Sequence, residues 1–373
     1  MKFVPTEKLK IGMRLAKPIY NKTGVMLYER DTKLTSQGIE SIKNFDLIGI
    51  YILEEAEPLP PLTEEDREFE RFQTVSVFSL KEILSTIKQG KKPDKLETLV
   101  LEITKRFGDK RGKITFTQNL RSPEDTVYKH SLNVAILSAV IASKLELKGD
   151  TFHDIIVAAL LHDIGSLDIP KELLMKPQEE LTEEEVKRIY KFRDDGYKDL
   201  RDVMDLNSNI SKNISYLLRD IKDLKNSVLT GGKKVDSSVE VLKVAYTFDN
   251  LTAMKYGQEP KSDIEAYKAI KQPGCGLNST VVRALTKAIY IVPVGCSVQF
   301  ENGEKGIVLT ENNDDILRPF ILNFSDNTIH NLIEGKEYEK YQIKDVLKTL
   351  DNRYIMTDKY EEYLKQLNAG EVK

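Results

Sequence analysis

The segments VYKHSLNVAILSAVIA (residues 127–142) and AALLHDIGSLDIP (residues 158–170) decide how this chain is read. Both are apolar stretches of helical character, and each is interrupted by a few polar groups. His130, Ser131 and Asn133 break the first, and His162-Asp163 ends the second just before Gly165. Around them, residues 126–290 continue as helical segments, among them SSVEVLKVAYTFDNLTAMKYG at 237–257. Upstream, Leu84, Ile87, Leu96, Leu99, Val100, Ile103 and Phe107 recur at steps of three and four, which predicts two amphipathic helices between Val75 and Phe107.

The flanks read differently. Residues 1 to about 56 alternate short apolar runs with turn formers, MRLAKPIY, VMLYER and LIGIYIL, and predict a small β-containing unit. The proline-bearing acidic run EEAEPLPPLTEEDREFE (54–70) reads as a linker leading into a solvated helix face. After Ile291 the pattern turns to β, with a turn predicted at Asn302-Gly303 between VGCSVQF and EKGIVLT. The expected organisation is α+β and multidomain: a β-containing unit at 1–60, a helical connector at 61–120, an all-α bundle at 121–290 and a β-rich unit at 291–373.

Composition narrows the functional classes. With 373 residues, 56 Lys plus Arg against 59 Asp plus Glu and a net charge of −3, the chain has no global positive field for nucleic acid or anionic lipid. No apolar run reaches the ~18 residues of a membrane span, and the N-terminus lacks a signal-peptide core, so a cytoplasmic protein is expected. Cys275 and Cys296 are too few for a disulfide framework or a four-thiolate zinc site and read as packing residues. A serine or cysteine nucleophile has no arrangement to support it, because there is no G-x-S-x-G and no histidine close to Cys296 in sequence.

Of the four histidines, His162 stands beside a carboxylate, a pairing that supplies nitrogen and oxygen to a divalent metal, and His130 is the clearest helper. The same residues have a metal-free reading. The His162-Asp163 pair beside Gly165 can fix the turn at the helix end, with His162 bonded to Asp163 or to a backbone carbonyl, and His130 can pack against it as a buried hydrogen-bonded triad. The residues alone leave both readings open. His153 is expected to face water or cap its helix, and His330 belongs to the C-terminal unit.

With LTEEEVKRIYKFRDDGYKDL (181–200) added to the two opening segments, residues 121–290 resemble the HD-GYP branch of the HD metal-dependent phosphohydrolases in order, spacing and flanking pattern. The resemblance implies a helical bundle holding two or three ions, commonly iron or manganese, that hydrolyses cyclic di-GMP. It places His130, His162 and Asp163 at metal positions, with Asp163 the group nearest catalysis if the site is active. It also exposes losses: Phe192 stands for the histidine ahead of Gly196-Tyr197, Leu218 and Arg219 for a histidine pair, and Asp220 for the glutamate after it. Asn226, Ser227 and Val228 stand where the GYP signature should fall, Tyr246 replaces the last metal aspartate, and Ser166 replaces a phosphate-binding lysine. Asp249 matches a more structural aspartate.

Phe192 and Leu218 donate no electron pair, Arg219 repels a cation, and Tyr246 ligates only as a phenolate against an ordinary pKa of ~10. The resemblance therefore implies an incomplete set, His130, His162 and Asp163, holding at most one ion at low occupancy. No cofactor is expected, and any that binds would be divalent iron or manganese. Asp194, Asp195, Asp199, Asp220 and Asp223 are the candidates for replacement oxygen ligands, and Lys233 and Lys234 in the glycine loop 230–234 are candidate phosphate contacts. The expected function is a degenerate, non-catalytic sensor, scaffold or interaction module in bacterial cyclic di-GMP-related signalling. Its partners would be a cyclic dinucleotide, a signalling protein or a second copy of the chain. The alternative is a residual or altered-specificity phosphohydrolase using His130, His162 and Asp163.

Overall fold

The structure is a computed structural model that describes residues 2–21, 25–53, 63–109, 112–223, 237–256, 258–312 and 314–347, with the backbone alone at 178 and 220–223. Its architecture is α+β. The chain begins with β1 (Lys2–Pro5), β2 (Arg14–Leu15), β3 (Ile19–Tyr20), β4 (Met26–Tyr28), helix α1 (Ser36–Asn44) and β5 (Gly49–Leu53). Strands β1, β5 and β2 form an antiparallel sheet in that order, and β3 and β4 pair as a separate ribbon. Val4, Leu15, Ile19, Leu34, Ile42 and Ile50 make their common core, and Leu120 packs against it.

Helix α2 (Glu64–Lys88) starts eleven residues ahead of the predicted Val75, because Thr63 and Asp66 form a reciprocal capping box that the acidic run disguises. The Asp66 backbone N–H donates to Thr63 Oγ1 at 3.1 Å and the Thr63 N–H to the Asp66 carboxylate at 3.0 Å. The three acidic residues of its first turn also suit the positive end of the helix dipole. Helix α3 (Leu96–Phe107) follows, and both lay their apolar faces on the bundle.

The bundle is built around α4 (Thr126–Lys144), which is buried on nearly every side and is packed by α2, α3, α5 (Gly149–Leu161), α9 (Ser237–Thr252) and α11 (Ser279–Ala288). A helix apolar all round must sit inside, and this one does. Between α5 and α9 run a 3₁₀ turn at Ile164–Asp168, the short α6 (Lys171–Leu174), the long α7 (Glu183–Val203) and α8 (Ser208–Asp223). Helix α10 (Asp263–Lys271) lies between α9 and α11 in sequence. No described helix is long and apolar enough to cross a membrane.

The C-terminal part comprises β6 (Ser297–Phe300), β7 (Lys305–Thr310), β8 (Phe320–Asn323), β9 (Ile329–Asn331), α12 (Gly335–Lys340) and β10 (Ile343–Leu347). Their sheet is antiparallel in the order β10, β6, β7, β8, β9. The turn predicted at Asn302-Gly303 joins β6 to β7, with Gly303 at φ +86°, a conformation open to glycine. Val298, Phe300, Ile321, Tyr341 and Ile343 belong to the same continuous apolar core as the helices.

Candidate functional site

Helices α4, α5, α7 and α9 converge on the histidine pair. His162 caps the C-terminus of α5, and Asp163 follows at the entry to the 3₁₀ turn. Gly165 has no positive φ, so its backbone angle does not call for a glycine. It is needed because a Cβ there would lie 2.4 Å from the Phe192 carbonyl oxygen, while a Cβ on Gly196 would fall 2.2 Å from the Gly165 Cα. The turn and α7 thus meet backbone to backbone, and this contact brings Arg193 beside Asp163.

On one side of the site, Asp249 is the hub. It is fully buried and accepts from Arg121 Nη2 at 2.8 Å to each oxygen, from Gln118 Nε2 at 2.8 Å, from Asn133 Nδ2 at 2.9 Å and from His130 Nδ1 at 2.6 Å. Burial would raise the Asp249 pKa, but Arg121 first and His130 next outweigh it and hold the carboxyl below the usual range. His130 therefore belongs to Asp249, and the triad expected with His162 and Asp163 does not form. Gln73 extends the network by donating to Asn133 Oδ1 at 3.0 Å.

On the other side, Asp163 accepts from Ser166 Oγ and lies 3.3 Å from Arg193 Nε, which also donates to Ser166 Oγ at 3.0 Å. Burial opposes the Arg193 charge, and Tyr246, Asp163 and Tyr190 override it, so the guanidinium is held charged above its ordinary range. Burial likewise raises the Asp163 pKa, and Arg193, then the two histidines, bring it below normal. Tyr246 sits edge-on to both imidazoles, with ring centroids 4.8 Å from His130 and 5.7 Å from His162. Burial raises its pKa, so it is a neutral phenol and no phenolate ligand.

Whether these groups fit the divalent ions implied by the resemblance is decided by their lone pairs. His162 Nδ1 lies 2.8 Å from the Ala159 carbonyl, an acceptor only, so this nitrogen carries the proton. Burial pushes the ring's pKa down to about 4, leaving a neutral imidazole whose Nε2 is a bare acceptor. His130 and His162 Nε2 are both sealed from solvent with no hydrogen-bond partner among the described residues. That orientation suits a metal ligand, yet it supplies two nitrogens only. Asp163, the carboxylate beside His162, is already paired with Arg193, and Asp249 with Arg121. Among the described residues no group of three or more His, Cys, Asp and Glu side chains is arranged to hold a metal ion. The residues do not fit a paired-metal centre.

Two of the candidate replacement ligands pair elsewhere. Asp195 pairs with Lys198 at 2.8 Å and Asp199 lies 3.6 Å from Lys88, both at the surface. The side chains of Asp220 and Asp223 lie outside the described residues, as do Asn226, Ser227, Val228, Lys233 and Lys234. Leu218 is part of the apolar core, and Arg219 is exposed with its guanidinium 4.4 Å from the Tyr216 ring, so the cation that bears on the site is Arg193 rather than Arg219. Lys255 is the other residue the sequence reading passed over. Burial first, and Arg121 next, lower its pKa to about 8, and Asp249 and Arg193 are near enough to act on it.

Outside this cluster, His153 pairs with Glu97 at 3.0 Å, and His330 with Glu337 at 2.7 Å. Burial pushes the Cys296 thiol up to about 12, which suits packing and not nucleophilic attack.

A family model described as an HD domain matches residues 115–274. The chain is 25% identical over 203 residues to a curated cyclic di-GMP phosphodiesterase of Pseudomonas aeruginosa, an alignment taking in 54% of this chain and 48% of that protein. It thus spans about half the length of this curated relative. Among solved structures it is similar to an HDG"Y"P protein from Bdellovibrio bacteriovorus, with a TM-score of 0.44 and 14% identity, covering 76% of this chain and 97% of that one. The HD pair lies inside the matched residues with His130 beside it, so the helical bundle carries the HD-domain pattern that the sequence leads one to expect.

Proposed function

We propose that this chain is a non-catalytic HD-GYP-type module of bacterial signalling, a sensor or scaffold in a cyclic di-GMP-related setting. The observation that carries the reading is the half-buried Arg193 guanidinium beside Asp163, a permanent cation bonded into the space between the turn and α9. Metal hydrolysis of a phosphodiester needs ions that lower the pKa of a bound water from 15.7 toward ~7, and a fixed guanidinium has no vacant orbital with which to do that. A positive charge at this point also works against any divalent ion approaching His162. The Nε2 atoms of both histidines are sealed inside the protein, so a dinucleotide has no contact with them in this conformation.

The test is elemental analysis of the full chain prepared without chelator, together with a cyclic di-GMP hydrolysis assay. Substoichiometric metal and no turnover are expected. Two ions per chain, with hydrolysis abolished by His162→Ala, would overturn the reading. A second reading, a residual phosphohydrolase using His130, His162 and Asp163, is favoured by those two unpartnered Nε2 atoms. Turnover of any of a panel of nucleotides and phosphodiesters on adding iron or manganese would establish it. Binding of a cyclic dinucleotide without turnover fits the first reading and is consistent with the cations Arg193 and Lys255; titration calorimetry with cyclic di-GMP measures it directly.

A further inference from the structure

Residues 117–121 have no regular secondary structure, so their backbone carbonyls find donors outside the segment. Two find them in the bundle. Gln73 Nε2 donates to the Thr117 carbonyl at 3.2 Å, and Lys129 Nζ to that of Leu120 at 2.5 Å. Two others find them in the N-terminal unit, where Lys17 Nζ donates to the Gln118 carbonyl at 2.6 Å and the Ile48 backbone N–H to that of Arg121 at 3.0 Å. Leu120, between them, packs against the core of that unit. Among the described residues it is the one apolar side chain from outside 1–53 that does so.

The side chains of the same segment point the other way. Gln118 and Arg121 both donate to Asp249, whose carboxylate holds His130 Nδ1 at 2.6 Å. One strap thus carries the backbone attachments of the N-terminal unit and the side-chain attachments of the HD site. Elsewhere the unit meets the bundle loosely. Its ion pair from Asp46 to Lys171, at 3.0 Å, has both side chains about half exposed. A cavity of about 130 Å³, lined by Ile19, Leu47, Gln73, Val77 and Gln118 among others, separates its strands from α2. A close-packed joint has no room for displacement, and this one has.

We propose that the N-terminal unit is the regulatory input of the HD site, and that the 117–121 strap is the element through which a displacement of that unit reaches His130. Lys17 and Ile48 are positioning residues. They fix where the strap carbonyls lie, hence where Gln118 and Arg121 meet Asp249, and Asp249 fixes the imidazole. Such a coupling is reciprocal, so a change at Gln118 is felt in turn at Ile48. Adjacency alone does not make a coupling, and both ends are therefore tested. The proposal deepens the sensor reading above and rests on it for its purpose, whereas the coupling itself is measured with neither metal nor nucleotide present.

The experiment is proton–nitrogen NMR of the full chain in chelator, where four histidines give few imidazole signals and the ring contact with Tyr246 assigns His130. Lys17→Met removes the donor to Gln118 and keeps an apolar stem. It is expected to move the His130 Nδ1 signal and to speed exchange of that proton with water about threefold or more, leaving His153 and His330 unchanged. Lys171→Met, which breaks the other attachment of the same unit, is expected to move none of them. From the opposite end, Gln118→Leu is expected to speed amide exchange at Ile48 about threefold or more relative to Ile50 and Ile52 of β5. A His130 signal that Lys17→Met leaves in place overturns the proposal, as does equal movement of all four histidines, an equal effect of Lys171→Met, or an unchanged Ile48 amide. Should Lys17→Met not fold, the Gln118→Leu arm decides alone. Metal content and hydrolysis enter none of these measurements, so a failure here leaves the non-catalytic reading standing, and a failure there leaves the coupling in place, acting on a working enzyme.

Discussion

The two sides of the HD site are opposites. Around Asp249 every oxygen has several donors, and the partners come from the 117–125 segment, α4 and α9, so the charge is surrounded and fixed. Around Asp163 two buried imidazole nitrogens are left without hydrogen-bond partners among the described residues, and an arginine and a phenol pack beside them. The contrast teaches that the framework orienting a reactive group and the groups that react are separable. The first is held by folding stability, and the second only by chemistry.

The sharpest way to break this comparison is Asp249→Ala. It leaves Arg121 buried and unpaired and His130 without its acceptor, and should cost about 3–5 kcal/mol in urea unfolding. A loss under 1 kcal/mol would show that the network is not what holds α4 to α9. Gly196→Ala comes next. The added methyl collides with Gly165, so the overpacking cost of about 1–3 kcal/mol should exceed the helix-propensity gain of up to about 1 kcal/mol. The denaturation midpoint should fall, and a rise would mean that the contact is looser than described.

Arg193→Met sharpens the comparison from the other side. Arg193 is 19% exposed and Asp163 7%, so solvent screens part of the pair, and the expected loss is about 1–2 kcal/mol, smaller than at Asp249. Combined with Phe192→His and Tyr246→Asp, the same change should raise iron or manganese content measured after dialysis. Unchanged metal content would show that Arg193 is not the obstacle.

The smallest effect is at His153, 38% exposed on α5. Burial would lower its pKa, but Glu97 and then Asp154 outweigh that and raise it above 6.5. A raised folded-state pKa stabilises fully below the unfolded value and is lost as pH climbs through the folded one. The native chain should therefore lose a little more stability than His153→Gln between about pH 6 and 8, by less than ~1 kcal/mol at such a screened position. Parallel stability curves for the two proteins would remove the assignment.

The bundle was readable because burial leaves its mark in the chain: α4 and α5 are apolar on faces that only an interior helix can keep. His130, His162 and Asp163 were readable for the complementary reason, as polar residues inside such helices. Arg193 was not, since attention to the lost ligand fell on Phe192, and neighbouring residues on a helix point about 100° apart. Nothing local shows that a close approach of two glycines aims residue 193 at the site. The start of α2 was hidden by its own cap, because Thr63 and the acidic residues that follow read equally well as a charged linker. The role of Asp249 depends on Arg121 and Gln118, residues far off in sequence in a segment without regular periodicity.

The meeting of Gly165 and Gly196 works as a keyway. With no side chain on either surface, the long helix has one seat along its axis and one angle about it, so the identity of the group presented to the histidines is written at a single address. Exchanging that group rewrites the chemistry of the site and leaves the seat of the helix where it was.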